Sequence, residues 1–129
     1  MGETNKAIET FEQTLFHEYN SSNKKKTDIV GTLQCLAQLH ELNGNLDIAL
    51  KCYKEAVEYC QKNSDKEVSS QVARLYSYIG NIHIEKGDNC KAMEAYVMAS
   101  RISRLGDFDD CIVIIADGLA LCEVLKQHG

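Results

Sequence analysis

The residues of this 129-residue chain best suited to chemistry are four histidines, six cysteines and a pair of adjacent acids. His40 and His83 could hold a metal or move a proton, but they lie 43 residues apart with no Cys or His at ligand spacing. Each sits where a packing residue is expected, so core or half-buried histidines are the better reading. His17 and His128 fall near expected helix ends, where surface exposure suffices. Asp109-Asp110 suits a helix N-terminus better than a cation site. No GxSxG, Walker loop or GxGxxG is present. The chain is expected to be no enzyme, with no metal and no cofactor.

The cysteines are Cys35, Cys52, Cys60, Cys90, Cys111 and Cys122. No CxxC occurs, and no signal peptide precedes them. They are therefore expected to be buried, reduced thiols of a cytoplasmic protein. The net charge of −5 argues against nucleic acid, which calls for a basic footprint. The one basic run, Lys24-Lys25-Lys26, reads as a solvated loop. The longest apolar run, Cys111 to Ala116, is far short of the roughly 20 residues of a membrane span, so no membrane insertion is expected. Proline is absent, which favours uninterrupted helices.

The elements that position these residues emerge from the glycines. Gly2, Gly44, Gly87 and Gly129 recur every 42 or 43 residues. Five residues after the first three stand Ala7, Ala49 and Ala92; nine after, Phe11, Tyr53 and Tyr96; twelve after, Thr14, Ala56 and Ala99. Leu33, Leu36, Ala37 and His40 precede Gly44 at the distances by which Tyr76, Ile79, Gly80 and His83 precede Gly87. Leu121, Cys122 and Leu125 repeat three of those distances before Gly129. Offsets of 3, 4 and 7 place each set along one helical face. The turn glycines can adopt a left-handed conformation that ends the first helix of a hairpin. Small residues (Ala37 or Gly80 with Ala49 or Ala92) allow close approach, and Tyr53 and Tyr96 fill the space between hairpins.

The spacing predicts an all-α chain of six helices near 5–20, 28–43, 46–62, 66–86, 89–105 and 109–128. Thr27-Asp28, Ser64-Asp65-Lys66-Glu67 and Asp107 supply expected caps. The chain reads as one domain over 1–129, made of a half repeat 1–26, repeats of about 27–64 and 65–106, and a half repeat 107–129.

These motifs resemble the tetratricopeptide repeat (TPR), carried by two complete repeats, Val30–Asn63 and Ala73–Gly106. The resemblance implies an α-solenoid of antiparallel helix pairs that binds other proteins. Gln61 and Arg104 replace the usual proline, and the period exceeds the family's 34 residues. The long period is similar to kinesin light chains and, more closely, to LGN (Pins) and rapsyn. The run Arg74-Leu75-Tyr76-Ser77-Tyr78-Ile79-Gly80-Asn81-Ile82-His83 is similar to a recurring segment of the LGN group. Gly118 stands where that pattern expects a bulky residue.

First helices line the concave surface of such an array. Counting back from the turn glycines puts Gln34, Cys35, Gln38, Glu41 and Leu42 on that surface in one repeat. Arg74, Ser77, Tyr78, Asn81, Ile84 and Glu85 follow in the next, and Leu119, Ala120, Glu123, Lys126 and Gln127 in the last. Asn81 and Gln38 suit the backbone amides of an extended peptide, Arg74 a carboxylate and Tyr78 apolar area. By resemblance, Arg74 and Asn81 match LGN-group residues that grip peptides. A clamp for a peptide's terminal carboxylate is not expected, because Glu41, Glu85 and Glu123 accompany them. A plain solvated surface is the competing reading. The sequence starts in a second helix and stops after a first. A fragment of a longer array, an assembly element pairing end to end through Ile112, Ile115 and Leu119, and an array with open ends all fit. The expected partner is another protein or peptide segment, with a homo-oligomer as the alternative.

Overall fold

The computed structural model describes residues 2–21, 26–62, 66–106 and 109–128, while the side chains at 22–28, 63–70, 104–114, 117 and 126–129 lie outside that description. The elements are α1 (Gly2–Asn20), α2 (Lys26–Leu42), α3 (Leu46–Gln61), α4 (Lys66–Glu85), α5 (Asn89–Gly106) and α6 (Asp109–His128). No strand occurs among the described residues. The basic run at 24–26 and the expected caps at 27–28, 64–67 and 107 lie outside the described residues, in side chain or altogether.

The turns form as the glycines require. Gly44 and Gly87 have φ of +78° and +80°, a region that costs a side chain dearly. In the first turn Gly44 N–H donates to the Glu41 carbonyl at 3.0 Å and Asn45 N–H to the His40 carbonyl at 2.8 Å. Gly87 to Ile84 at 3.0 Å and Asp88 to His83 at 2.8 Å repeat the pattern. These paired bonds satisfy carbonyls that the helix end would leave orphaned. Asp88 then starts α5, its Oδ1 accepting from the Lys91 backbone N–H at 3.3 Å.

The chain divides into two compact units, Met1–Lys62 and Asn63–Gly129. In the first, α2 packs against both α1 and α3. Leu33, Leu36, Ala37, Ala49, Tyr53 and Ala56 are buried there. Polar ties hold α1 in place. Thr32 Oγ1 donates to Glu18 Oε1 at 2.8 Å, and Tyr19 OH donates to Glu55 Oε1 at 3.0 Å. Burial, then Glu55, pushes the Tyr19 hydroxyl well above its ordinary pKa.

In the second unit α4, α5 and α6 all contact one another. One cluster joins Ala73, Ala99 and Ile115, with Tyr76, Ile102 and Leu119 packed on it. A second joins Ala92, Tyr96 and Cys122, with Ile84, Met93 and Leu119. Tyr96, fully buried, is the pivot. Its ring lies against Gly80 of α4 and Gly118 of α6, where an added Cβ would come within 2.7 Å and 2.5 Å of Cζ respectively. Gly118 is thus no defect in the pattern. It vacates the volume that the Tyr96 ring occupies.

Candidate functional site

Helical geometry sets apart one accessible stripe of α4: Arg74, Tyr78, Asn81 and Glu85, spaced i, i+4, i+7 and i+11. Arg74, Asn81 and Glu85 are exposed, and Tyr78 is half-buried. Ser77 does not join them. It is buried at 1% exposure, and its Oγ donates to the Arg74 carbonyl at 2.6 Å. Four residues after Ala73 and three before Gly80, it belongs to the edge of α4 that packs inward, so it leaves the expected site.

A tyrosine from the second helix of each hairpin reaches the first helix of its own hairpin. Tyr53 OH donates to Glu41 Oε1 at 2.9 Å. Tyr96 OH donates to Asn81 Oδ1. Glu41 lies three residues before its turn glycine, and Asn81 six before its own. Ile84 takes the place of Glu41 in the second hairpin and packs on the Tyr96 cluster, so the Tyr96 hydroxyl bonds one turn earlier. Burial, with Cys122 adding to it, pushes the Tyr96 hydroxyl up to about 12, so it remains a donor at neutral pH. With Oδ1 engaged, the Asn81 amide has its N–H groups left to offer outward.

In the first unit Gln38 is exposed, Gln34, Cys35 and Glu41 are half-buried, and Leu42 is exposed at 79%. The accessible residues of α2 thus include the counterparts of Tyr78, Asn81 and Glu85 one repeat earlier.

The final helix is where structure and sequence reading part. A step of 42 residues, set by Gly129, equates Leu121 with Ile79 and Val124 with Ile82. Ile79 and Ile82 are 5% and 0% exposed, whereas Leu121 and Val124 are 45% and 50% exposed. A step of 43, the Gly44–Gly87 interval, resolves these two positions, while it sets buried Ala73, Ser77 and Gly80 against exposed Ala116, Ala120 and Glu123. It equates buried Val72, Leu75 and Ile79 with buried Ile115, Gly118 and Cys122. It also equates accessible Tyr78 and Asn81 with accessible Leu121 and Val124. One residue turns a helix by about 100°. Of the expected α6 contribution, Leu119 is packed into both clusters, whereas Ala120 and Glu123 are exposed. Leu121 and Val124, which glycine counting left off the accessible face, are exposed as well. Extending the 43-residue interval instead of anchoring on Gly129 would have found them. Lys126 and Gln127 lie outside the described side chains.

The end-to-end pairing residues fare similarly. Ile115 is buried at 3% against Ala73 and Ala99, and Leu119 is half-buried beside it. Ile112 lies outside the described side chains. Among histidines, His83 is buried and His40 half-buried, as packing positions require. No group of three or more His, Cys, Asp or Glu side chains that could hold a metal occurs among the described residues. Of the cysteines, Cys60 and Cys122 are buried and their thiols pushed up by burial. Cys35 and Cys52 are half-buried and Cys90 is exposed, which corrects the expectation of uniformly buried thiols. Cys111 lies outside the described side chains. No helix among the described residues is long and apolar enough to cross a membrane.

Comparison with known proteins adds two findings. A family model described as tetratricopeptide repeat matches residues 33–63, which hold most of α2 and all of α3. Among solved structures, BtubC (BKLC) from P. vanneervenii is similar with a TM-score of 0.79 and 20% sequence identity, over 94% of this chain and 48% of that one. The chain therefore spans about half the length of that protein, and at this identity the likeness speaks to fold alone. No curated protein matches the sequence. With the six helices and the two glycine turns, these findings identify the fold as a TPR-like helical solenoid.

Proposed function

We propose that the chain is a non-catalytic protein-interaction adaptor that binds an extended peptide along the accessible stripe of α4. The observation that carries this reading is the Asn81 carboxamide, exposed on that stripe and held from below by the Tyr96 hydroxyl. A fixed amide donor suits a backbone carbonyl. Arg74 offers a charged fork for a carboxylate, and Tyr78 offers apolar area. Arg74 to Glu85 spans about 16 Å of helix, enough for roughly five residues of extended chain. TPR repeats generally mediate protein–protein interaction, which agrees with this use of the face. The net charge of −5 supports a protein partner over nucleic acid. Glu123 on α6, within the same unit, is a secondary contact in this reading; Gln34, Gln38 and Glu41 stand on the corresponding helix of the first unit. The resemblance to LGN-group repeats supports it through Arg74 and Asn81. Cytoplasmic residence with reduced cysteines completes it.

Selection of peptides from a displayed random library on the whole chain, followed by fluorescence polarisation of the selected sequences, tests the proposal. The Arg74→Ala/Asn81→Ala double variant should lose binding while keeping its helical circular dichroism and its mass. Unchanged affinity in that variant rules the α4 site out. A self-associating assembly element is the second reading. Exposed Leu121 and Val124, rather than Ile115, would carry it. Sedimentation of the chain across concentrations distinguishes the two.

A further inference from the structure

Leu121 and Val124 are among the few large apolar side chains that the described structure leaves exposed. They stand one 43-residue step beyond Tyr78 and Asn81, on a helix that contacts α4 within the same unit. The two helices are joined through Ala73, Ile84, Ile115 and Cys122. Packed helices run about 8–10 Å apart, so the 43-residue equivalence sets the two stripes as adjoining rows. One row is polar with a charge at each end, Arg74 and Glu85; the other is apolar at its middle. Within the row on α4, Arg74 is the exposed cation and Glu85 the exposed anion.

We infer that this unit recognises an extended peptide segment that carries an acidic residue, then a bulky aliphatic or aromatic residue, then a basic residue. The acidic side chain meets Arg74. The central apolar side chain leaves the α4 row and covers Leu121 and Val124, while the backbone carbonyl beside it accepts from Asn81. The basic side chain meets Glu85. Charge complementarity orients the segment along α4, with its acidic end toward the start of the helix. The apolar pair supplies the anchor that a polar stripe lacks, since truncating such anchors is what costs affinity in most interfaces. This inference rests on the α4 reading above and adds the chemistry of the ligand to it.

A positional-scanning array of five-residue peptides flanked by Gly-Ser tests the inference, read with the whole labelled chain and with two variants. The wild-type chain should select Asp or Glu near one end, Leu, Ile, Phe or Met at the centre, and Lys or Arg near the other. Leu121→Lys/Val124→Lys replaces exposed side chains, so folding is preserved. It should lower affinity for the apolar-centred peptides by about 30-fold or more, the loss expected of a hot-spot pair, and shift the central preference to Asp or Glu. Arg74→Glu should reverse the preference at the acidic position alone. A variant at 121 and 124 that keeps the apolar central preference overturns the inference, while loss of binding in Arg74→Ala/Asn81→Ala leaves the α4 reading standing. Binding that depends on Leu121 but ignores Arg74 and Asn81 overturns both the α4 reading and the ordered motif. If the pair at 121 and 124 instead governs the mass of the chain, and no peptide competes, the face belongs to a second copy and the inference falls.

Discussion

Replacing Gly118 with alanine should destabilise the second unit, although alanine is the better helix former. The substitution removes a helical glycine, which by itself stabilises by about 0.8–1 kcal/mol. Against this, the new Cβ would stand 2.5 Å from Tyr96 Cζ and 2.8 Å from Cδ1, closer than carbon atoms tolerate. The ring has little freedom to retreat, because Gly80 already brings α4 backbone against the same Cε1 and Cζ atoms. Forcing extra volume into a filled core costs about 1–3 kcal/mol, and a contact this close belongs at the upper end. The net expectation is a loss of about 2 kcal/mol. Gly31 is the internal control: it is helical, and an added Cβ there meets nothing within 4 Å. Gly31→Ala should therefore stabilise, by about 0.5–1 kcal/mol. Urea denaturation followed by circular dichroism measures both, with the midpoint compared at constant slope. Adding Tyr96→Leu to Gly118→Ala should recover at least about 1 kcal/mol relative to additivity, since the clash partner is gone. If Gly118→Ala and Gly31→Ala both stabilise, the tyrosine wedge is not what makes position 118 small.

Three further outcomes follow from the same geometry. The Tyr96 hydroxyl is raised to about 12 from 10.0 chiefly by burial. Its contribution to stability is thus fully present below pH 10 and is lost as pH rises through 12. Between pH 9 and 12 the wild type should lose on the order of 2 kcal/mol more than Tyr96→Phe in parallel urea titrations, and equal slopes refute the assignment. Tyr53→Phe should cost about 1–2 kcal/mol by removing the 2.9 Å donation to the half-buried Glu41 carboxylate, measured by thermal melting; an unchanged melt shows that this bond adds nothing to stability. In native protein at pH 8, an alkylating reagent mapped by mass spectrometry should label exposed Cys90 well before buried Cys60 and Cys122; comparable rates contradict the burial order.

The helices were legible because their determinants are local and repeated. The i, i+3, i+4 spacing of Leu33, Leu36, Ala37 and His40 and the turn glycines Gly44 and Gly87 placed the hairpin turns correctly. Helix ends were found within about three residues. The site was legible only in part. Arg74, Tyr78, Asn81 and Glu85 lie on the accessible face that counting assigned them. Ser77 sits at that face's margin, where whether a neighbouring helix covers it decides burial, and counting along one helix cannot show a neighbour. On α6 two counts compete: the 42-residue step to Gly129 and the 43-residue Gly44–Gly87 interval assign different faces, and one residue rotates every assignment on the helix. The bond from Tyr96 to Asn81 could not be read at all. Its partners are 15 residues apart on different helices, and the choice of acceptor depends on Ile84 occupying the alternative position.

Because one tyrosine both plugs the gap between two glycines and steers an amide on the outside, interior and exterior of this unit are mechanically linked. Substitutions that never touch a guest can still alter what it meets. A methyl group at Gly80 or Gly118 shoves the ring, and the ring carries its hydroxyl, so the amide loses its bearing without being mutated. Affinity losses from changes deep in the second unit would then report the position of a single phenol rather than a second recognition surface.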